Sequence, residues 1–251
     1  QVTLDADSET TVSFNLSIDQ EGYYEYRLSV PVWQGESTTA NNTVRCSVLA
    51  LDEPLRVLLV EGTPYWDSKF LAQLLRNAPS IRLTTVHRLS SERFFRVDTE
   101  SGESQMGDNL ATVFPDSMNA LGVFDIVIFG KGADYFLTPE RLRLLEEFVK
   151  ERGGGVVFAR GKPYSGTFEG LTRIEPVTWG KSVRSKFRLA PTAAGMRVGL
   201  FGDALPESQD PVWSRLPPLS HAHDIVEVRS FAEVLIEGRF VAGGRNRTFP
   251  V

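Results

Sequence analysis

Leu55-Arg56-Val57-Leu58-Leu59-Val60-Glu61-Gly62 is the most informative run in this chain. Its apolar residues are almost continuous. A strand of that kind is one covered on both faces, as parallel strands are. Trp66 to Arg76 follows, with Phe70, Leu71, Leu74 and Leu75 forming a helical stripe, which predicts a helix. Ile81 to Val86 and Phe124 to Phe129 read as further buried strands. Thr138-Pro139-Glu140 predicts a helix start, with Thr138 as N-cap and Pro139 in the first turn. Gly153-Gly154-Gly155 ends that helix, and Val156 to Ala159 is the next strand. Alternation of strand and helix predicts a doubly wound α/β fold with a mostly parallel sheet. Val156–Ala159 is expected to be central and buried on both faces, with a relaxed turn after it.

Outward from this block the pattern weakens. Residues 88–122 form a long polar excursion between strands. Beyond residue 165, strands are expected near Lys186–Leu189, Ile225–Val228 and Ala232–Ile236. Trp213 to Leu219 is too proline-rich for a regular element. Upstream, Val12, Phe14, Leu16 and Ile18 alternate with polar residues, Tyr23 to Val30 alternates again, and Val44 to Leu51 follows the Asn41-Asn42 turn. These runs predict a partial all-β, immunoglobulin-like sandwich, since about four strands stand where about seven are needed. Charge divides at the same place. Residues 1–54 hold nine of the 32 acids and two of the 27 Lys and Arg residues. The expected domains are 1–53, all-β, and 54–251, α/β, within a longer parent chain.

Composition narrows the function. A net charge of -5 gives no electrostatic reason to expect nucleic acid. No run approaches the ~18 apolar residues of a membrane helix, so no membrane insertion is expected. Cys46 is the only cysteine, which excludes an intrachain disulfide and a multi-thiolate zinc site. It is expected to be a small core residue.

Leu58 to Asp67 with Lys69-Phe70-Leu71, Phe114-Pro115 with Asp125 to Gly130, Leu144 to Phe158, and Trp213 to Leu219 together resemble class I glutamine-amidotransferase-like domains. The nearest likeness is to the version in large bacterial membrane proteins that also carry von Willebrand factor type A domains. There an immunoglobulin-like module often precedes it. The resemblance implies a flavodoxin-like, amidotransferase-like fold and an extracytoplasmic or periplasmic portion of a membrane-anchored protein. It also implies a catalytic Cys on a sharp turn after a central strand, activated by His and Glu. Here that turn reads Phe158-Ala159-Arg160-Gly161-Lys162-Pro163, with no Cys, Ser or Thr at its tip. The expected result is a pseudoenzyme with no catalytic residue and no cofactor.

A cleft survives the loss of a nucleophile. Glu61, Lys131, Arg160 and Lys162 at or after predicted strand ends, with Trp66 and Asp67 at the start of the first helix, are the candidates to line it. The basic run Arg160, Lys162, Arg173, Lys181, Arg184, Lys186 and Arg188 leaves room for a small anionic ligand, but a solvated face is the expectation. Gly130-Lys131-Gly132 lacks the spacing of a phosphate loop. His221 and His223 are the candidates for a metal, though no Cys or carboxylate motif accompanies them, and a polar loop is the expectation. The reading is a binding or assembly module engaging a protein partner or other domains of its parent chain. The alternative is a hydrolase using a basic, His-containing cleft.

Overall fold

A computed structural model describes residues 12, 16, 18–63, 65–110, 113–159, 161–183, 185–198, 215–242 and 245–251. The chain divides into two compact units, Gln1–Pro54 and Leu55–Val251. In the first, β1 (Gly22–Ser29) pairs antiparallel with β2 (Thr43–Ala50). Tyr24 and Tyr26 stack on one face of this ribbon, with centroids 6.4 Å apart. The strand expected over 12–18 falls mostly outside the described residues. A two-stranded ribbon is therefore what the described part of this unit offers, not a sandwich. Cys46, expected in a core, is exposed on β2.

The second unit is built on a six-stranded sheet. Its strands are β3 (Leu55–Glu61), β4 (Ile81–Arg88), β5 (Phe94–Asp98), β6 (Ser104–Gly107), β7 (Ile126–Phe129) and β8 (Gly155–Phe158), in the order β6-β5-β4-β3-β7-β8. β4, β3, β7 and β8 run parallel. Period-2 alternation splits β3 between two cores. Leu58 and Val60 join Val127, Phe129, Phe136, Leu145 and Phe148 on one face. Val57 and Leu59 join Leu83, Ile128 and Ala72 on the other. Helix α1 (Trp66–Asn77) supplies Ala72, and α3 (Pro139–Lys150) supplies Leu145 and Phe148. Between them, α2 (Met118–Leu121) is a single turn.

The doubly wound, mostly parallel α/β reading does not hold. Strand outweighs helix among the described residues, 37% against 20%. Nine of the thirteen described strands, all but β3, β4, β7 and β8, pair only antiparallel. Only β5 among these nine touches the parallel ladder, through β4. The polar excursion after β4 forms the β5–β6 hairpin and extends the sheet. After β8 the chain stops winding. β9 (Val177–Val183) pairs with β11 (Ala222–Val228), while β10 (Arg188–Pro191), β12 (Ile236–Ala242) and β13 (Arg245–Pro250) make a third sheet. Among the described residues four α-helices occur, of which α2 has four residues and α4 (Ala193–Arg197) five. Too few helices remain to cover both faces of a doubly wound sheet.

A second correction concerns Val156–Ala159. β8 is the terminal strand of its sheet, and Val157 is 43% exposed. A strand can be central only if a later strand returns beside it, and the segment after β8 pairs elsewhere.

Candidate functional site

The carboxyl ends of β3, β7 and β8 bring three loops together. Gly62 and Thr63 N–H both donate to the Lys131 carbonyl, at 2.8 and 3.0 Å. Gly132 and Ala133 N–H donate to the Pro163 carbonyl, at 3.0 and 2.9 Å. Such close backbone approach needs glycine. A Cβ at Gly62 would overlap the Gly132 carbonyl oxygen, and one at Gly130 would overlap the Glu61 carboxylate.

Each candidate residue from the sequence has a definite place. Glu61 ends β3 and is buried, with Oε2 accepting the Lys131 N–H at 2.9 Å. It fastens the loop after β7 and does not face solvent. Lys131 holds its Nζ 4.5 Å over the Tyr65 ring. Trp66 opens α1 and is 81% exposed, and Asp67 lies in the same first turn. Arg160, on which a cationic cleft most depends, lies outside the described residues. Lys162 donates from Nζ to the Gly166 carbonyl and sits 4.9 Å over the Tyr164 ring. Much of the basic run is otherwise dispersed. Arg173 pairs with Glu146 at 3.3 Å, Arg188 donates to the Leu216 carbonyl, and Lys181 and Lys186 are exposed. Arg184 lies outside the described residues.

Beside the β8 turn stands a group that the sequence did not reveal. The Glu175 carboxylate is buried and accepts from the Tyr164 hydroxyl and, at 2.9 Å, from Trp179 Nε1. Burial, then the hydrogen bond to Glu175, pushes the Tyr164 phenol well above its ordinary range. Trp179 meets the His223 ring edge-on at 6.1 Å, and His223 meets His221 at 5.9 Å. His223 Nδ1 lies 3.4 Å from where a Gly161 Cβ would stand. His221 Nε2 is 3.1 Å from Ser182 Oγ. Burial first, then His221 and Lys162, hold the His223 imidazole below its ordinary value. The two histidines thus converge on the β8 turn through β9–β11 pairing, which brings together residues about 40 apart in sequence. Among the described residues no group of three His, Cys, Asp or Glu side chains suits a metal ion.

A second concavity, of about 250 Å³, lies between α1 and β4 and is lined by Tyr65, Ser68, Lys69, Ala72, Arg76 and His87. None of these residues is among the candidate site residues read from the sequence, although Lys69 and Arg76 lie in the predicted helix. The signal available was the spacing Ser68, Lys69, Ala72, Arg76, which puts those residues on one helical face.

No protein-family model, curated protein or solved structure matches this chain. Among the described residues no helix is long and apolar enough to cross a membrane.

Proposed function

We propose that this chain is a non-catalytic binding or assembly module of a larger, membrane-associated bacterial protein, working outside the cytoplasm, in which an amidotransferase-like segment lacks the nucleophilic Cys. The observation that carries the reading is the outer face of α1. Trp66, Phe70 and Leu74 recur every fourth residue and are 81%, 63% and 70% exposed. Together they make an apolar stripe of about 12 Å on the helix. The inner face of the same helix already buries Ser68 and Ala72, with Leu71 and Leu75 half-buried. α1 therefore carries apolar surface that its own core does not use, which supports reading it as an interaction face. The sequence likeness supports the wider setting, and Arg160-Gly161-Lys162 offers no thiol where that family's nucleophile stands.

The test has two parts. Purified protein is assayed for ammonia release from glutamine, with the buffer rate as the expected result. Turnover that persists in Cys46→Ser overturns the non-catalytic reading. A photocrosslinker at position 70, compared with one at the exposed Gln73, is then followed in cells making the parent protein. Discrete adducts from position 70 alone are expected, and equal labelling from both positions counts against the interface.

A hydrolase remains the second reading, favoured by one contact: Ser182 Oγ at 3.1 Å from His221 Nε2, beside His223. It ranks lower because Ser182 and His221 are exposed on a strand pair, whereas a nucleophile gains from a strained turn and a water-poor site. Hydrolysis of a chromogenic ester or phosphoester that is lost in both Ser182→Ala and His221→Ala would promote it.

A further inference from the structure

The cavity between α1 and β4 has a composition that its own packing does not require. Ala72 and Leu83 seal the core at the level of the second apolar cluster. His87 lies four residues beyond Leu83, on the same face of β4. Above it α1 presents the small side chains of Ser68 and Ala72, and the hollow lies against them. Lys69 and Arg76 flank this hollow. They stand seven residues apart, about 10 Å along the helix axis, and both side chains are long enough to lean toward a common centre.

The charge of the lining is one-sided. Lys69 and Arg76 are cationic, and among the described residues no carboxylate lines the cavity. Among the described residues neither makes an ion pair or hydrogen bond, whereas Arg45, Arg143, Lys150, Arg173 and Arg197 all pair with glutamates. The acid closest in register is Glu61, the Cα partner of His87 across β3–β4, and it is engaged by the Lys131 N–H. On the other side of β4, β5 places Phe95 opposite His87. At about 250 Å³ the cavity is below the ~300–1,000 Å³ of clefts that enclose whole organic ligands. A single compact ionic group suits it.

We propose that this cavity is an oxyanion site of the phosphate class, in which Lys69 and Arg76 supply charge and Ser68, Tyr65 and the His87 ring surround the anion with directional polar groups. Phosphate fits better than a monocarboxylate because two positive charges face the same hollow and a dianion balances both. Burial and then the Arg76 charge hold His87 below its ordinary value, which favours the neutral imidazole. An incoming dianion opposes the Arg76 contribution and favours the imidazolium. Arg76 on α1 is the charged group that acts on that ring, Lys69 lines the same cavity, and Glu61 on β3 is the register partner of His87. This inference is independent of the assembly role and survives its failure.

The test uses the whole chain and follows the His87 ring resonances by NMR during titration with inorganic phosphate. Sodium chloride at matched ionic strength and acetate serve as comparisons, and methyl phosphate distinguishes a phosphoester from the free ion. The expected result is a saturable His87 shift with phosphate, a raised His87 pKa in the bound state, and weaker binding of acetate. Lys69→Gln and Arg76→Gln each lower phosphate affinity by about tenfold, as loss of a charge-assisted contact should. Both positions are exposed on a helix that glutamine tolerates, and far-UV circular dichroism verifies folding. Tighter binding of methyl phosphate than of phosphate assigns the site to an ester. The proposal is overturned by a shift that chloride reproduces, by no saturable shift, by acetate binding as tightly as phosphate, or by unchanged affinity in both variants.

Discussion

Gly62 and Gly153 separate two reasons for which a position demands glycine. Gly62 has no left-handed backbone, but its Cβ would overlap the Gly132 carbonyl oxygen where the loops after β3 and β7 meet. Gly153 has φ 70° and open space around it. Gly62→Ala must therefore push two hydrogen-bonded loops apart, at about 3 kcal/mol, the upper end for overpacking. Gly153→Ala meets only the left-handed backbone penalty, about 1 kcal/mol. Urea midpoints at constant m-value check this order, and equal losses would contradict it. His87 gives a pH dependence of known sign. Its folded pKa lies below the ordinary 6.5, through burial first and Arg76 second, so the unfolded chain binds the proton more readily. The stability that His87 contributes is present above pH 6.5 and is lost as pH falls through the lower folded value. His223 shifts in the same direction. The urea midpoint should drop on acidification from pH 6.5 toward the lower folded value, and by less in His87→Gln. An identical slope in that variant would remove His87 from the account.

Among the elements, α3 is the one whose local grammar is most complete. Thr138 caps it by accepting the Arg141 N–H at 3.4 Å, Pro139 stands in its first turn, and Lys150 pairs with Glu146 at 2.7 Å one turn apart. Thr138→Ala should lower stability by about 1 kcal/mol, and Thr138→Ser should restore most of it. Chemical denaturation measures both, and an alanine variant as stable as the parent would assign the cap no energy. Such signals explain why this helix, α1 and the four parallel strands could be located from sequence. Caps, a 3.6-residue stripe and continuous apolar runs are local properties. β9 and β13 lack them: Val-Thr-Trp-Gly-Lys-Ser-Val and Arg-Asn-Arg-Thr-Phe-Pro show no clean alternation, because their order comes from partners distant in the chain. The outward face of α1 was hidden for a related reason. Spacing shows that Phe70, Leu71, Leu74 and Leu75 are apolar, but not which of the adjacent pairs faces the sheet. The residues at the β8 turn met the same limit, since only β9–β11 pairing brings His221 and His223 to Gly161.

At the scale of the whole molecule, apolar burial is distributed very unevenly between the two units. Both apolar clusters consist of residues from Val57 onward. Among the described residues of Gln1–Pro54, only Asn42 is buried, and it is polar. The ribbon of β1 and β2 exposes Tyr23, Leu28, Val44 and Leu49 instead. A two-stranded hairpin without an apolar face to cover is at best marginally stable in water. The Leu55–Val251 unit has what an independent domain needs: a six-stranded sheet with apolar packing on both faces, including the fully buried Phe129, Phe136 and Phe148. Each such aromatic contributes about 3 kcal/mol or more against truncation to alanine. Cooperativity should therefore belong to the second unit. A chain beginning at Leu55 should retain near-UV circular dichroism and a single cooperative thermal transition. The separate Gln1–Pro54 peptide should melt without a transition and exchange its amide hydrogens rapidly, because opening a bare ribbon has almost no free-energy barrier. Loss of near-UV signal from the Leu55–Val251 chain would show that its core needs the ribbon. A cooperative transition in the isolated peptide would show a core in the first unit that its described residues do not contain.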